Sequence, residues 1–442
     1  MRPPVRVRPC LIRSRITPAL AWLFAIALAG CASDAHYPLN HPLTPASAML
    51  QPAPEPSAMS PASDSLLVIL AFSGGGTRAA ALAYGVLETL AAHQIAWEGH
   101  QRRLLDEVDM ISAVSGGSFT AAYYGLRGEA TFAEFEHAFL KRDVESEIKD
   151  ELLKAGNLSR MTSPYFGRSD ILAEHYDRIL FRGATLGDLQ RRSGPSIVIN
   201  ATRMTRGTPF PFTPRQFEAI GSSPDSVKVA RAVAASAAVP VLLSPIMLRD
   251  YRDTSCASLP SPGEGIPGSG DGDGDGDDHG CYIHLLDGGL NDNLGLGVLL
   301  ERAKEGHDAA RVLREAGYPS TRRIVVIHAD ASASLDRRWE GSARIPPPSA
   351  VLEASTSIPL LNTNLSTLER MAAIAGQWRE QGLDVSLIEV NLDALPDSTR
   401  RDHLRTLPTS MNLPAGDVDN LRRAARDLLE IHPEFRRLTG LP

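Results

Sequence analysis

A serine flanked by small residues stands at Ser115, within the stretch 112–118 (Ser-Ala-Val-Ser-Gly-Gly-Ser). The stretch follows a short apolar run at 108–111 and precedes a segment, 119–124, whose composition predicts a helix. A serine at a sharp turn between a strand and a helix is typical of a nucleophile elbow, which holds the hydroxyl above the sheet. Ala113 stands where the usual motif has its first glycine, and Gly117 keeps the second. By itself the stretch indicates either a nucleophile or a helix-capping serine in a tight turn.

Three consecutive glycines, Gly74, Gly75 and Gly76, follow a continuous apolar run at 66–72. Glycines let backbone N–H groups converge on an approaching oxygen, which is how a phosphate or a tetrahedral oxyanion is held. The Gly-Lys-Ser/Thr ending and the G-x-G-x-x-G spacing of nucleotide-binding loops are both absent. With a serine on the next predicted strand, an oxyanion hole is the better interpretation. Arg78 would then either lend positive charge or anchor the loop.

An aspartate followed by two glycines, Asp287-Gly288-Gly289, ends the short apolar run 283–286. In open α/β sheets the carboxyl ends of strands are where functional side chains gather. The alternative is an Asp-Gly turn with a local capping role.

Together, and in this order, the three segments resemble the motifs of the patatin-like phospholipase family. The similarity covers roughly residues 66–328 and includes the Ala/Ser-rich stretch 229–240, which ends in a proline. The resemblance implies a lipid acyl hydrolase with a serine–aspartate dyad, no cofactor or metal, and a three-layer α/β/α fold around a mainly parallel sheet. The residues that it singles out are Ser115 and Asp287 as the dyad, Gly74, Gly75, Gly76 and Arg78 at the oxyanion hole, and Gly117, Gly288 and Gly289 as motif support.

Two other functions fit part of the sequence. The α/β-hydrolase order of Ser, Asp and His would be completed by His328, or by His403 behind it. A lipoprotein without enzymatic activity that binds lipid or a protein partner is the second alternative. The sequence does not name the ester, the acyl position attacked or the oligomeric state.

Strands and helices alternate along the body of the chain, which predicts an α/β domain with a mainly parallel sheet. We expect a catalytic domain at 64–335, with a Gly/Asp-rich insertion at 258–280, and a C-terminal helical extension at 336–442 packed on it. The amphipathic segment 132–155 predicts a helical region that either covers the sheet, caps the site or touches lipid.

The N-terminus predicts export and lipidation. Five arginines and no acidic residue precede an apolar run at 19–28, as in a secretory signal peptide at 1–30. The run ends in Leu-Ala-Gly-Cys31, which resembles a bacterial lipobox whose cysteine is lipidated. Ala32 follows, and the resemblance to enterobacterial lipoproteins then favours the outer membrane, facing the periplasm. Residues 31–63 hold many Pro, Ala and Ser residues and predict a flexible tether.

The charged residues bear on two possible partners, nucleic acid and calcium. The chain has a formal net charge of −7, which argues against nucleic acid as the main partner. Alternating aspartates at 271–278 resemble the start of a Ca²⁺ loop, but Tyr282 stands in the twelfth position, where a glutamate is required. The composition therefore favours a disordered acidic loop over a calcium site.

We predict that Cys256 and Cys281 form a disulfide, because they flank the insertion and would reach an oxidising compartment. The closed loop would contribute about 3 kcal/mol to stability in the chain-entropy model. Peptide mass spectrometry without reduction should find the two cysteines in one linked pair. Two free thiols in the folded, exported protein would contradict the pairing.

Overall fold

The computed structural model describes residues 35–43, 63–252, 280–303, 308–332 and 340–441. The strands in these ranges are β1 (Leu66–Phe72), β2 (Gln94–Trp97), β3 (His100–Arg103), β4 (Val108–Val114), β5 (Ser196–Arg203), β6 (Pro209–Pro211), β7 (Ile246–Arg249), β8 (Tyr282–Asp287), β9 (Arg323–Asp330) and β10 (Asp384–Asn391).

The α-helices are α1 (Gly76–Ala92), α2 (Gly116–Arg127), α3 (Thr131–Phe135), α4 (Val144–Leu153), α5 (Ala155–Arg160), α6 (Arg168–Tyr176), α7 (Leu186–Gln190), α8 (Pro214–Glu218), α9 (Val229–Ser236), α10 (Gly289–Asp292), α11 (Gly297–Arg302), α12 (Ala309–Glu315), α13 (Pro348–Glu380), α14 (Ser398–Arg405), α15 (Ala415–Ile431) and α16 (Pro433–Thr439). Short 3₁₀ turns lie at Leu104–Glu107, Gly128–Ala130, Pro224–Ser226 and Leu392–Ala394, and π-helical turns at Glu136–Leu140 and Asp177–Phe181.

One mixed sheet of eight strands forms the centre of the described structure. Its order is β10-β9-β1-β4-β5-β8-β7, with β6 paired to β5, while β2 and β3 form a separate hairpin. Strands β10, β9, β1, β4 and β5 are parallel, whereas β8 runs antiparallel to β5 and β7 antiparallel to β8. The predicted mainly parallel α/β sheet is confirmed, and the antiparallel edge is an addition to it.

Helices cover both faces of the sheet, which gives the three layers. Strand β1 is buried along its whole length, and its alternate residues enter different cores. Val68, Leu70 and Phe72 join the larger core, which also contains the apolar faces of α1, α2 and α15. Leu67 and Ile69 join a second core, which includes the inner side of α13. A strand buried on both faces explains why this segment is a continuous apolar run rather than an alternating pattern.

The segment 132–155 is part of the layer that covers the sheet. It is divided between α3, a π-helical turn and α4 instead of forming one helix. Phe135 and Phe139 are fully buried, and Phe139 stacks on Phe119 of α2 at a centroid distance of 4.5 Å. These rings belong to the main core, so of the predicted roles the structure supports the packed layer.

The C-terminal segment contributes a strand, predicted at 385–390, to the central sheet, so the predicted extension packed on the domain is instead part of it. Strand β10 pairs with β9 over eight residues, from Asp384 to Asn391. Helix α15 packs so closely on α1 that a Cβ on Gly85 would lie 2.7 Å from the Cα of Arg422. A domain boundary at 335 would therefore cut through hydrogen-bonded strands.

The predicted tether 31–63 also needs correction, since residues 35–43 pack on the body. Tyr37 is buried, and its ring lies 4.0 Å from the guanidinium carbon of Arg231. Asn40 is fully buried and donates to Ser222 Oγ and to the Arg249 carbonyl, both at 2.8 Å. It also accepts the Arg249 N–H at 2.7 Å. An aromatic ring and a buried amide with three hydrogen bonds outweigh the flexible composition around them.

Several sequence predictions lie outside the described residues: the signal peptide, Cys31, Cys256, the aspartate run 271–278 and almost all of the insertion 258–280. These, including the Cys256–Cys281 pairing, stay predictions. Within the described ranges, no helix is long and apolar enough to cross a bilayer. In the same ranges, no group of three or more His, Cys, Asp or Glu side chains could hold a metal ion.

We predict that Asn40→Ala lowers the free energy of unfolding by about 2–4 kcal/mol, because it leaves a buried donor and a buried acceptor of Arg249 without partners. Leu43→Ala, which trims a side chain of the same segment that is 39% exposed and leaves no buried polar group unpaired, is the matched control and should change stability less. Urea unfolding of both variants measures the difference. Equal stability of the two variants would contradict docking of residues 35–43.

Candidate active site

Ser115 occupies the one-residue turn between β4 and α2. Its backbone angles, φ 48° and ψ −120°, lie in a region that residues other than glycine rarely adopt. Such a conformation costs about 1–3 kcal/mol and persists only where the surroundings impose it. The turn has the strand-to-helix geometry of a nucleophile elbow. Helix α2 begins at the next residue, so its positive N-terminal end faces the serine.

The glycines after the serine are required by close backbone contacts. A Cβ on Gly116 would lie 2.1 Å from the carbonyl oxygen of Gly76, and one on Gly117 would lie 2.7 Å from the Cβ of Phe72. Ala113 is different, because it lies within β4, where its small buried side chain is accommodated in the core. The departure from the usual motif at Ala113 therefore leaves the elbow intact.

Strand register brings Asp287 level with Ser115. Val114 at the end of β4 is paired with Asn200 of β5, and the next residue of β5, Ala201, is paired with Asp287. The Ser115 hydroxyl donates to Asp287 Oδ2 at 3.0 Å. Strand β8 runs antiparallel to β5, and its last residue, Asp287, lies beside Ala201 near the carboxyl end of β5. The sequence argument assumed a parallel strand; Asp287 lies at the expected edge of the sheet although β8 runs in the opposite direction.

The carboxylate of Asp287 is buried and held on both oxygens. Gly289 N–H donates to Oδ1 at 2.8 Å, and the Ser115 hydroxyl occupies Oδ2. Burial raises the pKa of Asp287 to about 6, against the opposing effect of these two hydrogen bonds. Gly288 cannot carry a side chain, since its Cβ would lie 2.3 Å from the carbonyl oxygen of Asn200. A carboxylate with this pKa is ionised at neutral pH and is more basic than an ordinary aspartate.

Ser236 and Asn200 are functional neighbours that sequence reasoning did not select. Ser236 Oγ accepts the N–H of Ser115 at 2.8 Å and donates to the carbonyl of Asn200 at 2.6 Å. The Asn200 amide donates to Ser112 Oγ and to the carbonyl of Ala113. This chain of hydrogen bonds holds the strained elbow against α9 and β5. The available signal was a single serine at the end of an otherwise Ala- and Val-rich buried helix.

The glycine loop lies against Ser115 but does not present all of its N–H groups. A Cβ on Gly74 would lie 3.2 Å from the Cβ of Ser115, so loop and serine are in contact. The Gly74 N–H already donates to the Asn293 carbonyl at 3.0 Å, which corrects its prediction as an oxyanion donor. Among the described residues, no hydrogen-bond acceptor is assigned to the N–H groups of Gly75 and Gly76.

The hydrogen bonds of Arg78 anchor it to other parts of the chain and are not typical of a catalytic residue. Its buried guanidinium donates to the Ala331 carbonyl at 2.7 Å, to the Leu407 carbonyl, and to Thr409 Oγ1 at 3.3 Å. Burial lowers its pKa to about 10, opposed by the nearby charge of Asp330. Of the two roles that the sequence left open, these contacts favour fixing the loop to the C-terminal segment over an oxyanion-hole contact.

Asn293 is a further polar residue that the sequence analysis passed over. Its Oδ1 would lie 2.6 Å from a Cβ on Gly74 and 3.0 Å from one on Gly289, so it sits between the two glycine motifs. Its Nδ2 donates to Ser332 Oγ at 3.1 Å. Asn293 therefore connects the segment that carries Asp287 with the loop that faces Ser115.

Neither candidate histidine joins the site. His328 lies on β9, four strand spacings from β8, which is about 19 Å at the usual separation of strands. Burial lowers its pKa, and the charged groups that oppose this are Glu389 and Asp330. His403 lies on α14 and contacts Asp417 at 2.6 Å at the surface. The structure thus brings Ser115 together with Asp287 and leaves both histidines apart from them.

Comparison with known proteins assigns the chain to a family. The model of the family described as patatin-like phospholipase matches residues 70–300, more than half of the chain. VipD from Legionella pneumophila is similar over 83% of this chain and 67% of its own, with 12% identity and a TM-score of 0.29. Human GIVD cytosolic phospholipase A2 is similar over 86% of this chain and 61% of its own, with 12% identity and a TM-score of 0.39. No curated protein sequence matches the chain significantly.

We predict that Asp287→Asn stabilises the protein at pH 8. The folded state raises the pKa of Asp287 above its unfolded value, so keeping the buried carboxylate ionised costs stability above about pH 6, as much as about 3 kcal/mol. This cost decreases as the pH falls toward 4, because the buried group is then protonated. The exposed Asp150→Asn is the control, and urea unfolding at pH 8 and pH 4 makes the comparison. A variant less stable than wild type at pH 8 would refute the burial argument.

Proposed function

Because the chain belongs to the patatin-like phospholipase family, we propose that it hydrolyses lipid acyl esters with Ser115 as nucleophile and Asp287 as its base. The observation that carries the proposal is the 3.0 Å hydrogen bond from the serine hydroxyl to the buried carboxylate. The substrate class is a phospholipid, a lysophospholipid or another lipid ester.

The first step is attack of Ser115 Oγ on the ester carbonyl carbon, with transfer of the hydroxyl proton to Asp287 Oδ2. The Gly289 N–H on Oδ1 keeps the carboxylate oriented so that Oδ2 faces the serine. A pKa of about 6 leaves the group ionised at neutral pH while making it a stronger base than an exposed aspartate. No second base is needed to orient the carboxylate.

Negative charge develops on the carbonyl oxygen in this step. The N–H groups of Gly75 and Gly76 are the donors proposed to receive it, supported by the N-terminus of α2. Collapse of the tetrahedral intermediate returns the proton from Asp287 to the departing alcohol and leaves an acyl-serine. Water then attacks the acyl carbon, with Asp287 accepting its proton. The bond from the acyl carbon to Ser115 Oγ breaks, Asp287 returns the proton to Oγ, and the fatty acid leaves.

The two alternative functions have weaker support. A Ser-Asp-His mechanism would need His328 or His403 beside Asp287, and their contacts are with Glu389 and Asp417 instead. A binding protein without activity would not need a serine in a strained turn hydrogen-bonded to a buried carboxylate, since both features cost stability. The predicted lipidation of Cys31 would hold the hydrolase beside its substrate, and we propose the periplasmic face of the outer membrane as its location.

Ser115→Ala and Asp287→Asn should each reduce hydrolysis of a lipid ester by about three orders of magnitude or more, in line with the loss of a nucleophile or its base. His328→Gln is the matched control and should keep near-wild-type turnover. Product analysis by mass spectrometry after incubation with phospholipid, together with labelling by a fluorophosphonate probe, measures both effects. Turnover retained in folded Asp287→Asn would exclude the dyad. Activity lost in folded His328→Gln would favour the triad.

A further inference from the structure

Three large apolar side chains are exposed beside the candidate active site, and we call them the apolar rim: Val241, Leu242 and Leu290. Val241 is 73% exposed, Leu242 65% and Leu290 41%. Single exposed apolar residues are common, whereas several around one opening mark a surface that meets another apolar phase.

Backbone contacts connect the rim to the dyad. Residues 239–242 directly follow Ala238, whose carbonyl accepts the Asp287 N–H at 3.0 Å. Leu290 is three residues beyond Asp287, on α10. Helix α13 reaches the same place, because Leu360 Cδ1 lies 3.6 Å from where a Cβ on Gly289 would be. The loop 239–242 and α10 thus present exposed apolar side chains at the edge of the sheet that carries Ser115, and half-buried Leu360 of α13 packs beside them.

The loop 239–242 is held in a conformation that exposes its side chains. Val241 has a φ of 72°, in the left-handed region that β-branched residues rarely adopt. Arg168 Nη1 donates to the Leu242 carbonyl at 2.8 Å, and Ser169 N–H donates to Ser244 Oγ at 3.1 Å. The loop is therefore fixed to the N-terminus of α6 with its apolar side chains outward.

The charged residues around the apolar rim favour contact with a phospholipid surface. The chain as a whole has 52 acidic and 45 basic residues, yet 237–245 and 357–366 contain no acidic residue. In the segment 288–296 the one carboxylate, Asp292, is buried. Exposed Arg206 stands beside α10, because Asn291 donates to the carbonyl of its neighbour Gly207. An apolar surface without exposed carboxylates, bordered by arginine, can approach anionic headgroups.

The N-terminal segment leaves the body close to the rim. Ala35 accepts a hydrogen bond from Ser163 Oγ at 2.5 Å, and Ser163 is five residues before Arg168, which holds the loop 239–242. Cys31 is four residues before Ala35, so its lipid would be within about 14 Å of this point along the chain. A lipid attached at Cys31 would hold this side of the body, rather than the opposite edge of the sheet, toward the bilayer.

We propose that the apolar rim docks on a phospholipid bilayer, so that ester substrate passes from the membrane surface to Ser115 without crossing water. The proposal rests on the proposed function and on lipidation of Cys31, and it adds the surface and the partner. A second copy of this chain, covering the rim in a dimer, is the competing occupant.

Direct contact is tested on the full processed chain carrying Ser115→Ala, which removes turnover in the proposed function. An environment-sensitive fluorescent amino acid replaces Leu242 or, as the control, Ile431, which is exposed beside the Glu430–His93 contact at the opposite edge of the sheet. Brominated phospholipid in phosphatidylethanolamine–phosphatidylglycerol vesicles should quench the probe at 242 and not at 431. Equal quenching at both positions, or no quenching at 242, overturns the proposal, and a 242-to-242 crosslink would assign the rim to self-association.

The consequence for activity is tested separately, with Ser115 intact. In the double variant V241S/L242S, the ratio of vesicle hydrolysis to hydrolysis of a soluble short-chain ester should fall about tenfold, because membrane affinity scales with buried apolar area. Ile431→Ser should leave the ratio unchanged. An unchanged ratio in V241S/L242S overturns the proposal while leaving the hydrolase intact. Absence of hydrolysis of either substrate by wild type rejects the proposed function, and the quenching experiment still decides the docking.

Discussion

The backbone of Ser115 is the constraint on which the site depends. Its φ of 48° is unfavourable for serine, so the surrounding structure has to impose it. Ser236 holds its N–H, Ser118 Oγ donates to its carbonyl at 2.5 Å, and glycines on the helix side allow the glycine loop to approach. Ser236 lies on α9 and donates to Asn200 of β5, so the elbow forms only when β4, β5 and α9 are assembled.

Asp287 adds a second unfavourable feature, a buried carboxylate, beside the first. The register of β5 places Ser115 and Asp287 level, and the three-residue pairing between β5 and the end of β8 fixes their separation. The hydrogen bonds from Ser115 and Gly289 offset part of the cost of burying the charge without removing its basicity. The site therefore combines strain and desolvation at one point, and the large apolar cores on both faces of the sheet supply the compensating stability.

The sequence predicts the motif segments and the fold class because both appear as short contiguous patterns. The glycines of these segments are nevertheless required by contacts with distant parts of the chain, such as Gly116 with Gly76 and Gly288 with Asn200. The antiparallel direction of β8 and the role of Ser236 depend on contacts between segments distant in sequence, which composition and spacing do not encode. The packing of Tyr37 and Asn40 on the body was not predicted for the same reason. Two residues do not alter the flexible composition of a segment that is rich in Pro, Ala and Ser.

The C-terminal segment also shapes the candidate site, through contacts with the glycine loop. The family match ends at residue 300, yet the Thr77 N–H donates to the Ser410 carbonyl at 2.9 Å, and a Cβ on Gly76 would lie 2.4 Å from the same oxygen. Arg78 binds the Leu407 carbonyl from within α1. The loop that faces Ser115 is thus clamped from behind by residues 407–410, and this leaves the N–H groups of Gly75 and Gly76 as its unoccupied donors among the described residues. The shape of the glycine loop at 74–76 is therefore set by residues that follow the matched region.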